Sequence, residues 1–229
     1  MWTLNANTIV RAPLTIDIVS DAVCPWCYVG KRKLEAALAL KADVPVELRW
    51  RPYQLDPTIP PGGLARAEYM AKKFGSAGRV AEIYDRIESV GRDTGIAFAF
   101  DKIMRSPNTL DAHRLIRWSA SAGKQDAVVE RLFKAFFEEG ADIGDHALLA
   151  RVAGDCGMDA ALVAELLAGE ADKDAVRAEI AEAQKLGVTG VPFFIIGGRY
   201  AVSGAQSPEV LAQAIESALK PEAAPTAEG

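Results

Sequence analysis

The chain has 229 residues, half of them hydrophobic and a quarter charged, with a net charge of −5. That is the make-up of a folded globular protein with room for one large domain or two small ones. The acidic balance argues against nucleic acid as a main partner, and no apolar run is long enough to span a membrane. Three cysteines exclude a scaffold built on several disulfides. Met1-Trp2-Thr3-Leu4-Asn5-Ala6-Asn7 lacks the basic start and apolar stretch of a secretory signal, so a cytoplasmic location is expected.

Leu14-Thr15-Ile16-Asp17-Ile18-Val19 reads as the body of a strand over 14–20, and Cys24-Pro25-Trp26-Cys27 follows it at the head of a helix over 25–41. Cys27, Leu34 and Leu38 share one face of that helix. After a turn at Lys41-Ala42-Asp43, residues 44–51 alternate Val46, Leu48 and Trp50 with Glu47, Arg49 and Arg51, a second strand. A strand–helix–strand unit predicts a parallel pair. Leu55 to Gly63 is a breaker-rich loop. From Leu64 to Leu186 the spacing turns helical and predicts five to seven helices. One stripe comprises Val128, Val129, Leu132, Phe133, Phe136 and Phe137, and another comprises Leu148, Leu149, Val152, Ala153 and Cys156. Gly187 ends the last of these helices. Phe193 to Ile196 is a buried strand, Gly197-Gly198 a hairpin turn, and residues 199–202 the partner strand. Ser207-Pro208-Glu209 combines a cap, a first-turn proline and an acid, and opens a final helix. Its core face is Val210, Leu211, Ala214, Ile215, Ala218 and Leu219. Residues 221–229 read as a disordered tail.

The order βαβ, helical insert, αββα resembles a thioredoxin fold interrupted by a helical domain, as in the DsbA-like thiol–disulfide oxidoreductases. Residues 20–32 (Ser-Asp-Ala-Val-Cys-Pro-Trp-Cys-Tyr-Val-Gly-Lys-Arg) are similar to the FrnE-type branch of that family. So are Arg51-Pro52-Tyr53-Gln54-Leu55, the run from Pro107 to Leu115, and Gly187-Val188-Thr189-Gly190-Val191-Pro192-Phe193-Phe194. The resemblance covers roughly residues 14–219. It implies an α/β fold with thioredoxin-like segments at 1–63 and 187–220 and an all-helical insertion at 64–186. The same superfamily resembles 2-hydroxychromene-2-carboxylate isomerases and kappa-class glutathione transferases. Those carry serine where Cys24 stands and use the thiol of bound glutathione.

Two cysteines one helical turn apart, in a reducing compartment, point to catalysis or metal binding rather than to a staple. Cys24, at the helix start, is the expected nucleophile, with an exposed sulfur whose thiolate the helix N-terminus favours. Cys27 is the expected resolving thiol. Pro25 suits the first helical turn. Trp26 stands where DsbA itself carries histidine, and a ring that cannot become cationic implies a less oxidising couple. Val191-Pro192 matches the family's cis-proline loop, which implies that Val191 offers its backbone to an extended substrate beside Cys24.

Asn108 and His113 are candidate contacts from the insertion, against the plainer reading of a helix cap and a boundary histidine. Asp17 is a candidate proton shuttle, although period-2 geometry turns it to the face away from the dithiol. Asp21 is expected in a loop near the site, His146 at an exposed helix start, and Cys156 buried and inert. Lys31, Arg32 and Lys33 read as a solvated basic face. A zinc site built from Cys24, Cys27 and Cys156 with His113 or His146 is the metal alternative. No second closely spaced ligand pair supports it, and no metal is expected.

The expected activity is dithiol oxidoreduction or disulfide isomerisation on cysteine-containing proteins or small disulfides. No external cofactor is needed, and glutathione is a possible co-substrate. The alternative is a glutathione-dependent isomerase or transferase acting on a small aromatic electrophile.

Overall fold

The computed structural model describes residues 12–220; the tail reading at 221–229 and the stretch Met1–Asn7 lie outside the described residues. Strand β1 (Leu14–Ser20) runs into helix α1 (Pro25–Ala39), and β2 (Val46–Pro52) returns parallel to β1. After the helical segment, β5 (Phe193–Ile196) pairs antiparallel with β1, and β6 (Tyr200–Ser203) pairs antiparallel with β5. The sheet order is β2-β1-β5-β6. Ile16 and Ile18 stand opposite Leu48 and Trp50 on one side and Ile196 and Phe194 on the other. Period-2 alternation therefore sends all six side chains to one face. Helix α1 and the final helix α9 (Pro208–Leu219) cover that face through Leu34, Leu211 and Ile215.

Residues 64–186 hold α2 (Arg66–Phe74), α3 (Ala77–Asp93), α4 (Leu110–Ser121), α5 (Gln125–Phe137), α6 (His146–Asp155), α7 (Ala160–Ala168) and α8 (Lys173–Lys185). One 3-10 turn lies at Phe100–Lys102. Helix α8 packs on the second face of the sheet, where Ala183 meets Val19, Tyr53 and Val188. The stripe Val128 to Phe137 is buried throughout. Tyr28 of α1 stacks on Phe133 at 5.0 Å and meets Phe98 edge-on at 6.1 Å, so one core runs from the sheet into the helical segment. Arg114 is fully buried. All five of its N–H groups are used, on the Asp111 carboxylate and the carbonyls of Leu166, Leu167, Gly169 and Ala171. It thereby fastens the C-terminal end of α7, where the helix dipole favours a cation. No helix among the described residues is long and apolar enough to cross a membrane.

Several details depart from the sequence reading. The insertion is not wholly helical: β3 (Leu64–Ala65) and β4 (Arg105–Ser106) form a two-stranded antiparallel ladder, too short to leave a period-2 signal. Helix α1 stops at Ala39, and β2 runs from Val46 rather than Val44. The hairpin turn takes in Arg199 as well as Gly197 and Gly198, whose φ values of 60° and 67° are ones that glycine adopts freely, so β6 starts one residue late. On α9, Ala212 is buried and Val210 is exposed. Cys156 is only half-buried, because it caps α6 instead of continuing its stripe.

Candidate active site

The site forms where β1 ends. Ser20-Asp21-Ala22-Val23 turns the chain, and Cys24 is the N-cap of α1 with extended backbone (φ −92°, ψ 111°). Pro25 occupies the first helical position, where a missing N–H costs nothing. The Cys24 amide donates to Asp21 O at 3.0 Å, and the Cys27 amide donates to Cys24 O at 3.0 Å. Both cysteines are free thiols. The Cys24 thiol donates to the Val191 carbonyl across 3.6 Å, and the Val191-Pro192 bond is cis. The loop is held against α1 by close packing: a Cβ on Gly30 would lie 2.8 Å from Pro192 Cγ. The two ends of the sequence motif, 167 residues apart, thus meet at one sulfur.

Cys27 sits one turn inside and is 1% exposed. Burial pushes its thiol well above the ordinary range. The neighbouring Cys24 thiol adds to the rise, against the Ser20 hydroxyl and the Asp21 backbone. Cys27 therefore holds its proton, as a resolving thiol behind Cys24 does.

Cys24 is not exposed as its sequence position suggests; it is 4% exposed. The loop after β2, together with α2 and α3, roofs the end of α1. Beneath the roof lies a cavity of about 350 Å³. Cys24, Trp26, Met70, Tyr84, Phe100 and Val191 are among its walls. Access to the sulfur is through this cavity.

The candidate contacts from the insertion stand elsewhere. Asn108 does not line the cavity, although its neighbours Pro107 and Thr109 do. Its Nδ2 donates to Ile59 O at 2.6 Å, and its Oδ1 accepts from Gln54 Nε2 at 3.1 Å and Leu110 N at 2.9 Å. Asn108 thus pins the roof loop to the start of α4. His113 is buried behind the wall, with Nε2 2.8 Å from Tyr53 O and 3.4 Å from Asp21 Oδ1. A carbonyl only accepts, so this nitrogen carries the hydrogen. Neither residue lines the cavity; both support its wall from behind.

Asp21 is the residue whose importance sequence reasoning understated. It is 1% exposed and lines the cavity. Its Oδ2 accepts from Leu55 N at 2.8 Å, and its Oδ1 is the buried oxygen without a hydrogen-bond partner among the described residues. An acid wedged between an apolar strand and a CxxC pair was the available signal. Asp17, by contrast, is on the other face, paired with Arg51 Nε at 2.7 Å.

The basic cluster is not a solvated face. Lys31 is 4% exposed and pairs with Glu35, with Asp126 at 3.1 Å and with Glu130 at 3.4 Å. Burial alone would lower its ammonium pKa, but Glu35 and Asp126 outweigh burial and raise it. Arg32 pairs with Glu130 at 2.5 Å, and Lys33 donates to Ala205 O at 2.9 Å. These charges dock α1 on α5 and on the turn between β6 and α9. The zinc alternative is not assembled: His146 pairs with Asp111 at 2.8 Å. Among the described residues no three His, Cys, Asp or Glu side chains are grouped to hold a metal.

A family profile described as DSBA-like thioredoxin domain matches residues 15–216. YwbO of Bacillus subtilis (strain 168), described as uncharacterized, is 29% identical over 210 residues, which is 90% of this chain and 97% of that protein. A probable DsbA oxidoreductase from Streptomyces coelicolor has 34% identity and a TM-score of 0.82, covering 90% of this chain and 89% of its own. The cytosolic disulfide reductase DsbM from Pseudomonas aeruginosa, solved with GSH, shares the fold at 20% identity and a TM-score of 0.60, covering 89% of this chain and 98% of its own. The chain belongs to the DSBA-like thioredoxin domain family.

Proposed function

We propose that this member of the DSBA-like family is a thiol–disulfide oxidoreductase, with Cys24 as nucleophile and Cys27 as resolving thiol, able to reduce or isomerise disulfides. The observation that carries the reading is Cys24 at the head of α1 with its thiol on the Val191 carbonyl at 3.6 Å and Cys27 one turn behind. The Cys24 thiolate attacks one sulfur of a substrate disulfide, and the partner sulfur leaves as a thiolate that takes a proton from solvent. Cys27 then gives up its proton and attacks Cys24. That step releases the second substrate thiol and leaves the pair oxidised. A thiol such as glutathione returns the two electrons, so no resident cofactor is required. That the related fold of DsbM is solved with GSH supports glutathione as this partner. Cysteine-containing proteins and small disulfides are the substrate classes, and the cytoplasm is the compartment where such a reductant is abundant. Pro25, Trp26 and Val191 line the cavity at the sulfur, and Pro192 holds Val191 in place from its seat against Gly30.

The apolar cavity beside Cys24 also favours a second reading, a glutathione-dependent isomerase or transferase on a small aromatic electrophile. Two variants separate them. Under the dithiol reading, Cys24→Ser abolishes reduction of glutathione disulfide and of insulin, and Cys27→Ser accumulates a mixed disulfide on Cys24. Glutathione-dependent turnover of a chromene-type substrate by Cys24→Ser, with no disulfide reduction by the parent protein, would overturn it.

A further inference from the structure

The cavity carries two features that dithiol exchange alone does not use. The first is its apolar, aromatic lining in front of a sulfur that is 4% exposed. An extended protein segment reaches a sulfur so covered only by entering the cavity, whereas a small disulfide fits inside it. About 350 Å³ lies within the range that holds such ligands. The second is charge, carried on the lining by Asp21, Asp56, Arg66 and Lys73, with Asp21 held by Leu55 N and Lys73 by Tyr69 Oη. Asp56 lies on the wall with its carboxylate already engaged by Thr58 and by Tyr69 Oη at 3.0 Å. Arg66 lies on the same wall and is not so engaged. Its Nε donates to Tyr84 Oη at 3.1 Å and its Nη1 to Ser106 Oγ at 3.3 Å. Among the described residues no carboxylate lies within ion-pair distance of it. A half-buried guanidinium with spare donors and no counter-ion is complementary to an anion, and its planar fork suits a carboxylate.

We infer that the cavity is a binding site for a low-molecular-weight disulfide with an aromatic body and a carboxylate, the carboxylate on Arg66 and the disulfide at Cys24. This rests on the dithiol reading above. Bound there, the ligand's S–S bond breaks as Cys24–S forms, one aromatic thiolate leaves, and Cys27 closes on Cys24 to release the other. Two electrons pass to the ligand, giving two aromatic thiols, and a low-molecular-weight thiol re-reduces the pair.

The test is rapid mixing of the reduced protein with three disulfides: dithiobis(nitrobenzoate), uncharged dithiodipyridine and glutathione disulfide. With dithiobis(nitrobenzoate) the rate of Cys24 modification saturates with concentration, the signature of a complex formed before exchange. With glutathione disulfide it stays linear. Arg66→Gln raises the half-saturating concentration of dithiobis(nitrobenzoate) about tenfold, the loss of one charge-assisted contact, and that of dithiodipyridine less than about twofold. Arg66→Lys recovers part of the difference. Because Arg66→Gln could fail to fold, nitrobenzoate lacking a sulfur is tested on the parent protein, where it slows alkylation of Cys24 by iodoacetamide. A linear rate with dithiobis(nitrobenzoate), no protection by nitrobenzoate, or an equal effect of Arg66→Gln on both aromatic disulfides overturns the inference. If glutathione disulfide still exchanges in that case, the oxidoreductase reading stands. If none of the three disulfides oxidises the Cys24–Cys27 pair, both fall together.

Discussion

Replacing Gly30 by alanine tests how tightly the Val191-Pro192 loop is seated on α1. Gly30 lies mid-helix, and the added methyl would sit 2.8 Å from Pro192 Cγ and 3.3 Å from Phe194 Cζ. Two effects oppose each other. Alanine is favoured over glycine inside a helix by about 0.5–1 kcal/mol. Overpacking a buried contact costs about 1–3 kcal/mol. Pro192 is a ring in a constrained loop and Phe194 is fully buried in a strand, so neither retreats as a flexible side-chain end would. The clash wins, and the net change is a destabilisation of up to about 2.5 kcal/mol. Gly154→Ala is the control. It lies in the last turn of α6, where the new Cβ meets Ala160 at 3.4 Å, so it should not destabilise and should gain at most about 0.5 kcal/mol. Urea unfolding followed by circular dichroism and by tryptophan fluorescence reads both, provided the two probes agree. Function adds a second readout. To reach ordinary contact, the proline must move at least about 0.6 Å, carrying Val191 O away from Cys24. Misplacement of about 1 Å at a reacting group can cost a hundredfold in rate. Gly30→Ala should slow glutathione disulfide exchange about tenfold or more. Unchanged midpoint and unchanged exchange in Gly30→Ala would refute the packing argument.

Other outcomes follow from the same geometry. Arg114→Met removes five hydrogen bonds and leaves carbonyls near the end of α7 unpaired, a loss of about 3–5 kcal/mol visible as a lower denaturant midpoint. Asp17→Asn should alter the exchange rate less than about twofold, because its partner is the half-exposed Arg51 on the far face; a tenfold drop would restore the proton-shuttle role. Iodoacetamide near neutral pH should modify Cys24 before Cys27, as peptide mass mapping can show. Burial raises the folded Cys27 pKa above that of the unfolded chain, so the unfolded state loses its proton first. Stability of the reduced protein is then fully present below pH of about 8.5 and declines as pH rises beyond it, and Cys27→Ala should flatten that slope.

The strand–helix–strand start, the parallel pair, the final capped helix and the dithiol all follow from local signals. Ser207 does accept from Val210 N, for instance, and Pro25 does open α1. What escaped the sequence depends on contacts between distant segments. The cavity in front of Cys24 is walled by residues of α2 and α3, whose placement no periodicity encodes. Lys31 reads as a surface lysine on α1 because its partners Asp126 and Glu130 are nearly a hundred residues away. Asn108 carries a family-like context, yet its amide is consumed by the backbone of Ile59 and the side chain of Gln54. In each case the residue type was read correctly and its neighbours were supplied by tertiary structure.

Tyr28 has a consequence for how the molecule comes apart. Its ring is packed by Phe98 and Phe133 from the helical segment, and its hydroxyl donates to Glu138 at 2.7 Å. Cutting out 64–186 and joining the ends would leave a bare aromatic face one residue from Cys27. The Cys24–Cys27 site therefore has no smaller autonomous version, and calorimetry should register a single melting event for sheet and helices together.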